Sequence, residues 1–259
     1  MNALGQMVSS SPDDDTRYEV LAGGDGLFLV QQEIQNMTTN ESRMGIFCAD
    51  GTWLIEPSTK MPLYELYQMK QQYGHELSFY YLGEHIFAGI YNAAFEDTLI
   101  VFNVDTQESS RLMDGWIVLT DEAENPFQFY DGLGCVISSE YVYSIGLNCM
   151  LTPVKSVPKR YDLRYIPYHD GIFLLGTDEN YGCCDQTVYG GVFYNLHGET
   201  VLDFSQYDLA IGKGAIGFYE FRDNCAAVKI HGADHEMYLS HIRMDGSFNY
   251  ELKLRTLEI

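Results

Sequence analysis

Two consecutive copies of one short β-unit, lying between Gly190 and Gly246, constrain the fold of this chain more than any other feature. In the first copy, Gly190-Gly191-Val192-Phe193-Tyr194 and Val201-Leu202-Asp203-Phe204 flank a polar turn that carries Gly198, which is the pattern of a β-hairpin. After Ser205-Gln206-Tyr207-Asp208 the pattern returns: Phe221 to Val228 leads into Met237 to Ile242, and Asp245-Gly246 supplies the next turn. A unit this small cannot bury its apolar face alone, so it must stack on neighbours.

Earlier parts of the chain carry the same signature. Arg17-Tyr18 followed by Asp25-Gly26-Leu27-Phe28-Leu29-Val30 matches Arg164-Tyr165 followed by Asp170-Gly171-Ile172-Phe173-Leu174-Leu175. Downstream of each, Gly45-Ile46-Phe47 matches Gly191-Val192-Phe193. The residues between about 75 and 150 are less regular, and the sequence leaves open whether they keep the unit. Short runs rich in Phe, Tyr, Val, Ile and Leu, such as Leu99-Ile100-Val101-Phe102, read as strands throughout. Leu63 to Gln72 is the one tract with helical spacing; it ends at Gly74, and a short helix or an edge strand both fit it. Five units of roughly 40 to 60 residues fill the chain. The expected fold is therefore all-β and built of repeated hairpins, a small propeller of about five blades or a propeller-like stack, with an open stack of hairpins as the alternative.

These residues resemble the WG-repeat family, whose unit runs roughly F-x-D-G-L-A-x-V, a short turn, W-G-V-I-D-x-x-G-K-x-V-I-P, then Tyr-Asp. Gly191, Val192, Phe193, Gly198, Val201, Leu202, Tyr207 and Asp208 fall on its second part, and Phe129-Tyr130-Asp131-Gly132-Leu133-Gly134-Cys135-Val136 on its first. Asp223 and Ala227-Val228 echo the first part, and Gly45-Ile46-Phe47, Asp50-Gly51 and Trp53-Leu54-Ile55 the second. The chain departs from the pattern where the Trp of the Trp-Gly pair is Gly190 in one copy and Met44 in another. The resemblance implies a degenerate repeat structure used for binding, and it brings no catalytic residues with it.

At 259 residues and 46% apolar, the chain is long enough for a well-buried core. Residues 1–16, with Ser9-Ser10-Ser11-Pro12-Asp13-Asp14-Asp15, read as a flexible tail, and residues 17–259 as a single β-repeat domain. No apolar run approaches the ~18 residues of a membrane span, and no export signal opens the sequence as written. The default compartment is the cytoplasm; an extracellular one stays open if an N-terminal anchor has been removed. Fifteen Lys and Arg stand against 37 Asp and Glu, a formal charge of −22. A field of that sign repels phosphate backbones and anionic lipid, so neither nucleic acid nor a membrane surface is expected as a partner.

Cys48, Cys135 and Cys225 lie in strand-like runs, where thiols act as small core residues, while Cys183-Cys184 falls in a polar connection. His231, His235 and His241, with Asp234 and Glu236, have the donor types of a metal site. Their strand-turn-strand context places His231 to Asp234 in the turn and separates His235 from His241 by roughly 20 Å if extended, so neither metal nor cofactor is expected. No nucleophile elbow, Walker-type loop or dinucleotide glycine motif occurs, and no pair of the 37 acids is singled out for hydrolysis.

What remains is binding. Twenty Tyr residues offer rigid amphipathic surface or core filling. Trp53 and Trp116 are the aromatic candidates for a contact surface, and Lys155, Lys159, Arg160 and Arg164 form a local basic cluster on an acidic chain. Pro153 and Pro158 mark that cluster as an exposed connection between units. The expectation is a non-catalytic module that engages a protein or peptide partner, with a small-molecule or glycan binder as the alternative and a hydrolase third.

Overall fold

The computed structural model of the chain describes residues 16–35, 40–119, 127–157, 168–169, 171–175, 187–210, 225–231, 237–243 and 248–253. The architecture is all-β, with four antiparallel sheets whose strands follow one another in chain order. The first sheet holds β1 (Thr16–Gly24), β2 (Leu27–Gln35), β3 (Asn40–Cys48) and β4 (Trp53–Ser58). Helix α1 (Tyr64–Tyr73) follows, and then the second sheet of β5 (Glu76–Gly83), β6 (Ile86–Asn92), β7 (Asp97–Asn103) and β8 (Ser109–Asp114). The third contains β9 (Ile117–Val118), β10 (Leu133–Ser138), β11 (Tyr141–Gly146) and β12 (Leu151–Ser156). The fourth begins with β13 (Tyr168–His169), β14 (Ile172–Leu175), β15 (Thr187–Asn195) and β16 (Thr200–Ala210). It continues through β17 (Cys225–His231), β18 (Met237–Arg243) and β19 (Phe248–Lys253), with β16 and β17 meeting over three residue pairs. The chain forms two compact units: Met1–Ile117, Pro126–Gln128 and Ile145–Leu151 in one, and Val118–Asn125, Phe129–Ser144 and Thr152–Ile259 in the other.

Two kinds of turn recur between the strands. The first hairpin of the first sheet closes on Asp25-Gly26, with φ of 49° and 78°. Positive φ at both central residues is the type I′ turn, whose twist matches the flanking strands. Glu84-His85 (50°, 57°) does the same between β5 and β6, Asp131-Gly132 (51°, 74°) precedes β10, and Gly171 (77°) lies between β13 and β14. A second type of turn closes a later hairpin in three of the sheets. Cys48 N–H bonds Thr52 O, Gly146 N–H bonds Met150 O and Asn195 N–H bonds Glu199 O, each across a three-residue loop. The third loop residue is left-handed in each case: Gly51 (95°), Cys149 (62°) and Gly198 (81°). Both kinds of turn therefore also occur between residues 75 and 150.

In the first compact unit, β6 and β7 are buried along nearly their whole length, which explains why Ile86 to Tyr91 and Leu99 to Phe102 are continuous apolar runs and do not alternate. Phe87 and Tyr91 of β6 and Ile100 and Phe102 of β7 join Leu29, Met44, Ile46, Leu63 and Leu66 in one core. The ambiguous tract is a helix. It stops at Gly74, whose φ of 77° lets its N–H reach Lys70 O at 2.8 Å. Leu63, Tyr64 and Leu66 pack inward, and a Cβ on Gly89 of β6 would come within 2.6 Å of Leu66 Cδ1, so the absent side chain lets the helix lie close.

Strand β1 begins at Thr16, and residues 1–15 lie outside the described residues. Two expectations change. Pro153 is not in a connection but within β12, the outermost strand of its sheet, the position in a sheet where proline is tolerated. His231 is the last residue of β17, paired with Met237, and not part of the turn.

Tyr91 is 2% exposed, and among the described residues its hydroxyl has no hydrogen-bond partner. A buried, unbonded hydroxyl costs about 1–3 kcal/mol. Tyr91→Phe should accordingly raise stability by about 1 kcal/mol, read as a higher urea midpoint at unchanged m-value; a lowered midpoint would mean that the hydroxyl is bonded.

Candidate functional site

A cleft of about 700 Å³ opens in the first compact unit, between β1 and β5, with β2 and α1 as its floor. Its walls are Val20 and Leu21 from β1 and Leu77, Phe79 and Tyr80 from β5; Glu19 and Ser78 stand beside them. Local periodicity assembles the floor. On β2, Gln31 and Glu33 are two residues apart and share a face; on α1, Tyr67, Lys70 and Gln71 fall at i, i+3 and i+4 and share another.

The floor is tied together before anything binds. Gln31 is 3% exposed, and its amide nitrogen donates to Glu33 Oε1 at 2.9 Å and to the Tyr67 hydroxyl at 2.8 Å. Gln71 Nε2 donates to the same hydroxyl at 2.8 Å, and Ser42 Oγ approaches it at 3.3 Å. With its lone pairs taken by two amides, the hydroxyl directs its proton to Glu33 Oε1, 3.5 Å away. The Tyr64 ring stacks on Tyr67 at 5.9 Å and fixes the ring's position. These bonds hold one carboxylate oxygen of Glu33 and leave the other available to the cleft, together with the Glu19 carboxylate and the Lys70 ammonium.

One end of the cleft's two walls is closed by an interlock. A Cβ on Gly24 would collide with the Tyr81 ring, so glycine lets that ring lie across the end of β1. The Tyr81 hydroxyl donates to Asp25 Oδ2 at 2.8 Å and accepts from His85 N–H at 3.3 Å. Burial first, and then the bond to Asp25, push the Tyr81 pKa up to about 12. His85 Nδ1 sits 2.9 Å from Asp105 Oδ2 on an exposed surface.

Of the residues singled out by type in the sequence, the described ones, Trp53, Trp116 and Lys155, are not among those lining this cleft. Trp53 is half-buried on β4, edge-to-face with Phe47 (5.0 Å, 72°) and tilted against Tyr18 (6.0 Å, 41°). Trp116 is half-buried just before β9, where the Ile117 N–H donates to Asp97 Oδ2 at 3.0 Å. Burial raises the Asp97 pKa, against the lowering effect of that bond and those of Asn92 and Ala93. Lys155 lies over the Tyr194 ring, 4.4 Å from its centroid, so this cation already has an aromatic partner. Lys159, Arg160 and Arg164 fall outside the described residues, as do Cys183, Cys184 and His235. Burial drives the Cys135 thiol far above its usual range and the Cys149 thiol up to about 12, which suits inert core residues. Among the described residues, no three His, Cys, Asp or Glu are placed to hold a metal ion. None of the described helices is long and apolar enough to cross a membrane.

Sequence reasoning missed the cleft because its parts come from four separate elements. One signal was present: Leu77-Ser78-Phe79-Tyr80-Tyr81-Leu82 is an uncharged β-prone run in a chain that is one-fifth charged.

No protein-family model and no curated protein matches the chain. Among solved structures it is similar to the N-terminal domain of Nup159, at 12% identity over 65% of this chain and 42% of that one, with a TM-score of 0.35. It is also similar to the uncharacterized protein lmo1340 from Listeria monocytogenes EGD-e (12% identity, 95% and 81% covered, TM-score 0.36). A third similar structure is the acylaminoacyl peptidase of Pyrococcus horikoshii (10% identity, 93% and 52% covered, TM-score 0.29). The chain spans less than half the length of the Nup159 chain it matches. Likenesses this loose carry no argument, and what the chain does has to be read from its own sheets and cleft.

Proposed function

We propose that this chain is a non-catalytic binding module that engages a protein or peptide partner, with the cleft between β1 and β5 as its contact site. We further propose that it is a degenerate WG-repeat protein whose sheets stack in a propeller-like way. The repeated pair of turns supports the repeat reading, as do the glycines equivalent to the Trp-Gly glycine: Gly45 and Gly191 both sit at register shifts, in the β3–β4 and β15–β16 pairings. The single observation that carries the binding reading is the pre-bonded floor of Gln31, Glu33, Tyr67 and Gln71 beneath aliphatic and aromatic walls. A cleft of this size with a few convergent polar groups is the usual form of a recognition site.

A thermal-shift screen tests it. Pools of unstructured decapeptides are expected to stabilise the chain, and the shift should vanish in Glu33→Ala and Tyr80→Ala. A peptide at ~100 times its dissociation constant adds about 2.7 kcal/mol, which a melting curve resolves. A shift with neutral oligosaccharides or nucleotides and none with peptides would overturn the reading.

A further inference from the structure

The ends of a sheet are where unpaired N–H and C=O groups invite another strand, and folded proteins blunt them with charge, proline, bulges or shortness. The ends in this chain are blunted in these ways, with one exception among the described strands. On β4 there are Glu56 and Pro57, on β8 Arg111 and Asp114, on β12 Pro153 and Lys155, and on β19 Glu251 and Lys253. Among the described residues, strands β9 and β13 are two residues each. Strand β1 carries Arg17 and Glu19, and its pairing shifts register between Val20 and Ala22. Strand β5 is different: after Glu76 it runs Leu77-Ser78-Phe79-Tyr80-Tyr81 with no charge and no proline, and its register to β6 shifts only past that stretch, between Tyr81 and Gly83.

We propose that the outer edge of β5 takes an extended peptide segment as an added strand, main chain to main chain, and that this segment carries basic side chains. The proposal rests on the binding-module reading and specifies its partner. Position favours it, because the open stretch Leu77 to Tyr80 is the stretch that lines the cleft. About four residues of an added strand, ~13 Å at ~3.3 Å per residue, lie opposite that stretch. Strand addition derives affinity from backbone hydrogen bonds and specificity from alternate side chains. Charge selects those side chains. Glu19 and Glu33 line the cleft against Lys70, the held carboxylate oxygen of Glu33 keeps the group in place, and a net charge of −22 disfavours an acidic segment. The hydroxyls of Ser78 and Tyr80 and the amide of Gln71 complete a surface suited to a polar, extended chain.

The test uses fluorescence anisotropy with the full chain and a defined probe set. It consists of decapeptides of alternating Val, Thr and Tyr with Lys at every second position, an acidic set with Glu replacing Lys, and two backbone N-methylated versions of the basic set that block alternate N–H groups in opposite parity. In an added strand only every second N–H points at β5, so methylation in one parity should weaken binding by roughly tenfold or more and in the other parity by little. Glu33→Gln should weaken the basic set several-fold, with a shallower salt dependence, while leaving its main-chain pattern intact. Equal effects of the two methylation patterns would overturn strand addition and leave the peptide reading standing. Tighter binding of the acidic set would overturn the charge assignment. Failure of every peptide, methylated or not, would sink the binding-module reading along with the proposal.

Discussion

Phe87→Ala is expected to cost about 3–5 kcal/mol, enough to unfold the first compact unit near physiological temperature. Phe87 lies on β6, paired with Tyr81 of β5 on one side and Phe102 of β7 on the other. Its side chain is wholly buried, and its ring meets that of Tyr81 at 5.0 Å and 59°. Truncation therefore removes apolar area and leaves a cavity whose walls, central strands with pairs on both sides, cannot collapse into it. Phe87→Leu should cost far less, about 1 kcal/mol, because it keeps most of the volume. Urea unfolding followed by circular dichroism separates the two; a loss below about 1 kcal/mol for the alanine variant would mean that the side chain is not enclosed.

Gly45→Ala should cost about 2–3 kcal/mol, a large effect for one methyl group. A Cβ there would lie 2.6 Å from Ile55 O and 2.9 Å from Pro57 N, both main-chain atoms of β4 that cannot swing aside. The Trp53 ring, 3.0 Å away, closes the third side. The pairing of β3 with β4 passes from Met44–Ser58 to Ile46–Ile55 at this point, so the close approach belongs to the register shift itself. Gly51→Ala supplies the contrast. No atom lies within 4 Å of its Cβ position, and only its φ of 95° opposes the change, at about 1 kcal/mol. Melting curves should rank Gly45→Ala well below Gly51→Ala; equal losses would refute the steric account. Backbone contact thus explains why glycine stands at position 45.

How much of this was legible in the sequence depends on which residue occupied the turn. Asp25-Gly26, Asp131-Gly132 and Gly198 announce their turns because glycine or a short acid is what left-handed backbone favours. Glu84-His85 and Cys149 adopt the same conformations without that chemistry, which is why the turns between residues 75 and 150 are harder to read from sequence. The tract from Leu63 was undecidable locally; the packing of Leu66 against Gly89 is a contact between residues distant in sequence, and it favours the helix. The cleft itself was illegible for a related reason. Trp53 and Lys155 were chosen for their chemistry alone, and the fold gives each a neighbour, Phe47 for one and Tyr194 for the other. The cleft draws on Glu19, Gln31, Tyr67 and Phe79, none of which is unusual until a helix and three strands bring them together.

The most direct test of the central claim, that the open edge of β5 is a binding edge, is residue-resolved hydrogen exchange across Leu77 to Tyr81, with and without the basic Val-Thr-Tyr decapeptide. Without peptide, amides paired with β6 should exchange slowly and the alternate ones, facing the cleft, quickly. With peptide, the fast set alone should slow. Slowing elsewhere in the chain, with the β5 amides unchanged, would contradict the account.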